Sequence, residues 1–135
     1  MDKSRRDQFK FYLRELADKM ELRDWSISTP PEASPDGSAA SVNCLIGRKI
    51  AVIRFSCDFD SYSRDQQRHF CVHELLHVHM WGVTQALRDA RENSNKEWVR
   101  QLELRVHLSE EYGVDGIASI IAPGMPLPPK KKKAD

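Results

Sequence analysis

Apolar side chains at Phe9, Tyr12, Leu13, Leu16 and Met20 repeat at the three- and four-residue spacing of one helical face, with Arg14, Glu15, Asp18 and Lys19 on the other. The pattern predicts an amphipathic helix over about residues 5–22. Trp25-Ser26-Ile27-Ser28 alternates apolar and polar, as a short strand does. Thr29 to Ser38 gathers three prolines and an Asp-Gly pair and reads as a loop. Two strands follow, over about Ala40–Ile46 and Lys49–Ser56, with Gly47-Arg48 as a tight hairpin between them. Ser63 followed by Gln66 forms a capping box, so a helix is expected from there to Trp81, with Gly82 ending it. Residues 84–97 are polar, with room for a short helix over Gln85–Arg91. A third long helix is expected from about Lys96 to Tyr112, closed by Gly113. An apolar piece, Ile117 to Ala122, precedes a proline-rich run that ends the fold. There is no internal repeat. These elements make an α+β fold: an N-terminal helix, a small sheet of about three strands, and two helices packed on each other, in a single domain over residues 1–128.

Composition sharpens this picture. With 135 residues, 40% hydrophobic and 30% charged, the chain supports one modest core. No apolar run approaches the roughly 20 residues of a spanning helix, and the first residues lack the apolar stretch of a secretory signal. A soluble, cytoplasmic and monomeric protein is the expectation. Of the net charge of +1, Lys130 to Lys133 and Asp135 carry +3, which leaves 17 basic and 19 acidic side chains over residues 1–129. That body is no basic nucleic-acid platform, and the Lys-rich segment 129–135 is expected to be a disordered, solubilising tail. Cys44, Cys57 and Cys71 form an odd set without a Cys-x-x-Cys pair, which argues for reduced thiols and against a disulfide framework or a thiolate metal site.

The candidate chemistry lies in His73-Glu74-Leu75-Leu76-His77. Two histidines four apart on a helix sit about 40° from each other around the axis, so their imidazoles can converge on one cation. Glu74 projects about 100° from His73, away from the ligand position but beside it, where it can accept a proton from a water on the ion. Such a site needs a third protein ligand and leaves one position open. His69 is about 6 Å further along the axis and His79 projects to another side, so neither is expected to bind. On the next helix, Trp98, Val99, Leu102 and Val106 mark a core stripe, with Glu103 at its edge. Glu103 is therefore the expected third ligand, with Glu110 and His107, on the same row, as the alternatives. Tyr112 projects opposite Glu103 and could approach a site only if the helix unwinds near Gly113.

The motif, followed 26 residues after His77 by Glu103 on a second helix, resembles the gluzincin arrangement of two histidines and a glutamate. Among small members it is similar to the bacterial and phage-encoded ImmA/IrrE-like metallopeptidases, over about residues 40–123. The resemblance implies one Zn²⁺ on His73, His77 and Glu103, and a polypeptide as substrate or partner. Hydrolysis of a peptide bond would use Glu74 as general base, with His107 the first choice for a second donor to the oxyanion. Lys49–Ser56 is the candidate for a strand edge along which an extended peptide could lie, or else an internal strand. The alternative reading is a zinc fold of regulatory or host-factor-binding type with little or no proteolysis.

Overall fold

The computed structural model describes residues 1–131. Helix α1 (Lys3–Lys19) leads to strand β1 (Ser26–Ser28), then to β2 (Ala40–Leu45) and β3 (Ile50–Phe55), and the chain closes with helices α2 (Arg64–Glu92) and α3 (Glu97–Ile121). The three strands form one mixed sheet in the order β1-β3-β2. β2 and β3 are an antiparallel hairpin in register from Ala40–Phe55 to Leu45–Ile50, and β1 runs parallel to β3. Both β1 and β2 are edges, so the β-rich run Ile50–Phe55 is the internal strand of the two readings that its pattern allowed. The left-handed residue of the hairpin is Lys49, with φ of 48°, rather than Gly47.

The core forms where α1 and α2 cover one face of the sheet. Phe9, Leu13 and Leu16 of α1 meet Ala51, Ile53 and Phe55 of β3, and Cys71, Val72, Leu75 and Val78 of α2 close the layer. Phe59 fills the junction, its ring 5.3 Å from Phe9 and 4.5 Å from Phe55. The four- and three-residue spacing of Cys71, Leu75 and Val78 turns that face of α2 inward. The face carrying His69, His73 and His77 is thereby left for α3. Cys44 and Cys71 are buried, Cys57 is exposed, and all three are free thiols.

Three boundaries differ from the sequence pattern, and each has a physical cause. The Ser63 capping box forms as expected, but α2 does not stop at Gly82. An interior Gly costs only about 1 kcal/mol relative to Ala, and the helix beyond it is tied to α3 by Thr84–Glu110 at 2.8 Å and Arg91–Glu103 at 2.6 Å. α3 likewise runs through Gly113 and Gly116, because Val114 and Ala118 continue its buried face. The apolar piece Ile117–Ala122 is thus mostly its last turns. The proline run does not leave the fold either. Tyr12 Oη donates to the Pro126 carbonyl (2.8 Å), Arg64 Nε to Pro128 (2.8 Å) and the buried Arg5 to Pro129 (2.9 Å). The expected tail of residues 129–135 therefore begins on the body, and its residues 132–135 lie outside the described residues. Among the described residues no helix is long and apolar enough to cross a membrane.

Candidate metal centre

His73 and His77 stand one turn apart on the α3-facing side of α2, and their Nε2 atoms are 3.1 Å apart. Across the helix pair, Glu111 reaches both: its Oε1 lies 3.0 Å from His77 Nε2 and its Oε2 3.5 Å from His73 Nε2. Two imidazole nitrogens and a carboxylate thus form a triangle of residues with contacts of 3.0–3.5 Å, the two histidines each meeting a different carboxylate oxygen. One ligand atom from each of the three residues lies within 4.8 Å of the others, close enough for the group to hold one ion. Burial first, and then the electrostatic influence of the neighbouring His77, pushes the His73 pKa below its ordinary value. That shift favours the neutral His73 imidazole that a cation requires.

The other ring nitrogens are also occupied. His77 Nδ1 faces Glu110 Oε1 at 3.0 Å, and Glu110, whose side chain is 6% exposed, accepts from Thr84 Oγ1 at 2.8 Å. His73 Nδ1 lies 3.5 Å from Asp115 Oδ1, which is itself 2.9 Å from His69 Nε2. The hydrogen bond from His69 holds the Asp115 carboxyl below the usual carboxylate range. Each imidazole therefore has a carboxylate behind it, which fixes the tautomer that aims Nε2 at the triangle and makes that nitrogen a better donor. His69, Asp115 and His73 Nδ1 are also mutually close enough to hold an ion, as are His73, His77 and Glu111. Only the second group has Glu74 beside it in a cleft. Asp115→Asn and Glu110→Gln should each weaken any binding of a divalent ion at this site about 10–100-fold without abolishing it. Competition against a chromophoric chelator measures this; unchanged affinity in both variants would remove the orienting role.

The triangle opens onto a cleft of about 360 Å³ between α2, α3 and the free edge of β2. Ala40, Ser41 and Val42 form one wall; His73, Glu74, His77, Trp81, Thr84 and Arg88 form the α2 side. Glu74 is 9% exposed. Burial pushes its carboxyl up to about 7, against the opposing pull of His77. A buried carboxyl poised near neutrality, next to a place for a metal and a water, is fitted to accept and release a proton.

Comparison with known proteins identifies no relative. No family model matches the chain, and neither a curated protein nor a solved structure matches it. The reading of the site therefore stands on its geometry.

That geometry brings His73, Glu74 and His77 together as the motif predicts, but not Glu103. The Glu103 carboxylate is bound to Arg91 Nε at 2.6 Å, near the loop that joins the two helices. The correction follows from helix length. A helix ending at Trp81 and a partner starting at Lys96 would face His77 with the region of Arg100–Glu103. With α2 extended to Glu92 and α3 starting at Glu97, His77 lies fifteen residues before the end of one helix, and the position equally far into its antiparallel neighbour is Tyr112. Glu111 and Glu110 flank that point on the inner side. Of the alternatives, Glu110 reaches His77 through Nδ1, behind the ligand nitrogen. His107 lines the cleft one turn before Glu111 and is outside the triangle. Tyr112 is 81% exposed on the outer face, and the helix stays wound through Gly113. The edge strand beside the cleft is β2, not the Lys49–Ser56 strand. The signal that could have found Glu111 was the row His107, Glu111, Asp115, four residues apart along one face.

Proposed function

We propose that the chain is a zinc-dependent peptidase whose ion is held by His73, His77 and Glu111. The observation that carries this reading is the triangle of donor atoms with a buried Glu74 at its side in an open cleft. Two imidazoles and a carboxylate leaving a fourth position free make a donor set suited to Zn²⁺ in a hydrolytic site. When bound, the zinc would supply a Lewis acid and lower the pKa of a water.

The chain's residues supply the remaining functions. Glu74 accepts the water's proton and delivers it to the leaving amine, for which its raised pKa is suited. The free edge of β2 can take an extended peptide by main-chain hydrogen bonds, laying its carbonyls along the cleft. His107, which lines the cleft from α3, is the candidate to donate a hydrogen bond to the developing oxyanion. Trp81 and Val42 narrow the cleft with apolar surface. A denatured protein such as reduced casein incubated with the zinc-loaded chain should be cut, and the products should show new amino termini. An intact substrate after prolonged incubation with the fully metallated chain would count against a peptidase and for a zinc-holding binding protein.

A further inference from the structure

We propose that Arg88 forms a carboxylate-binding subsite at the end of the cleft, so that the substrate is a peptide with an acidic side chain or a free C-terminus near the cleavage point. The inference rests on the peptidase reading for what the cleft holds, though not for the chemistry of the subsite. Among the cleft-lining residues Arg88 is the single permanent cation. Its neighbours on the same helix pair are neutralised: Arg91 by Glu103 at 2.6 Å, Arg100 by Glu97 at 2.6 Å. Arg88 makes no ion pair or hydrogen bond to any described residue. Its guanidinium carbon instead rests 5.8 Å from the centre of the Trp81 ring. That stacking positions a planar fork of donors while leaving the donors themselves free.

The cleft acids do not compete for it. Glu110 is taken by His77 and Thr84, and Glu111 by the two imidazoles. Trp81, 8% exposed and also lining the cleft, is the packed surface beside which the guanidinium lies. This end of the cleft therefore presents a cation with no acid paired to it, which is the complement of an anion. A surface arginine with no further role would either extend into water or pair with an acid; here the side chain lies back along its own helix instead. His77, Trp81, Thr84 and Arg88 share one face of α2, and a helical side chain leans toward the N-terminus, so Arg88 leans toward the triangle. Trp81 is one turn, about 6 Å, beyond His77. At about 3.3 Å per extended residue, the bound carboxylate would then belong about two or three residues from the scissile bond.

The test uses blocked heptapeptides of alanine and leucine, each with a single Glu at one position, the same set with Gln, and one unblocked C-terminal acid beside its amide. Binding is measured by calorimetry to zinc-loaded Glu74→Gln protein, so that no turnover is needed. Glu at one position, or the C-terminal acid, should bind about tenfold more tightly than its neutral counterpart. Which of the two shows the preference distinguishes a side chain from a chain terminus. In Arg88→Gln, added to the same background, the preference should shrink to about twofold or less with the zinc content unchanged, and Arg88→Lys should restore part of it. No preference for the acid, whether all peptides bind alike or none binds, overturns the subsite, as does a preference that survives Arg88→Gln. A charge preference that depends on Arg88, in a wild-type protein that cuts none of the peptides, overturns the peptidase reading alone.

Discussion

Glu74→Gln is expected to lose peptide hydrolysis by about 10²–10⁴-fold while keeping one zinc per chain. The amide has the volume of the carboxyl, so the inner face of α2 around Cys71 and Leu75 should pack as before. Glu74 is not part of the donor triangle, which is made of His73, His77 and Glu111 alone. Metal affinity should therefore change little. What the amide lacks is a site for the proton, and a group pushed up to about 7 by burial is the one best placed to take it. Hydrolysis of an internally quenched peptide gives the rate and elemental analysis the metal content, on one preparation. Loss of both together would mean that Glu74 supports the site as a ligand or by packing. Retention of both would deny it any role in proton transfer.

Removing the metal should lower the unfolding free energy as well as abolish turnover. An ion that binds only the folded chain stabilises it by about 4 kcal/mol when free zinc stands 1,000-fold above its dissociation constant. The ligands here come from two packed helices, of which α3 fully buries only Val99, Val114 and Ala118 and exposes Trp98, Leu108, Tyr112 and Ile120. The polar row of Glu110, Glu111 and Asp115 against the histidines adds to that packing. Within that row His73 stands 3.5 Å from both Glu111 and Asp115, too far for close hydrogen bonds. Urea unfolding with zinc and with a chelator should differ by several kcal/mol, and His77→Ala should remove the difference. Equal midpoints in wild-type protein would indicate that the folded chain does not bind the ion.

The elements were legible in the sequence wherever the hydrophobic period was unbroken. The Phe9–Met20 stripe, the β2–β3 hairpin and the Ser63 cap all lie close to where their patterns put them. The histidine pair was equally legible, because four-residue spacing on a helix settles its geometry locally. What misled was punctuation. Gly82 and Gly113 look like stops, yet each is outweighed by packing that only the tertiary fold supplies: Thr84 and Arg91 on α3, Val114 and Ala118 in the core. The eleven added residues of α2 past Trp81 carry the facing register from near Glu103 to near Glu111. A ligand contributed by a neighbouring helix is set by the lengths of both helices and their loop, none of which a single-residue pattern reports. Asp115, by contrast, follows Glu111 by one turn, so once one of the pair is placed the other is implied.

The most direct test of the two-helix metal centre is the zinc content of three purified proteins: wild type, Glu111→Ala and Glu103→Ala. One zinc per chain in the wild type and in Glu103→Ala, with Glu111→Ala nearly metal-free but still helical by circular dichroism, is the predicted result. Full zinc in Glu111→Ala, or loss of it in Glu103→Ala alone, would contradict the account.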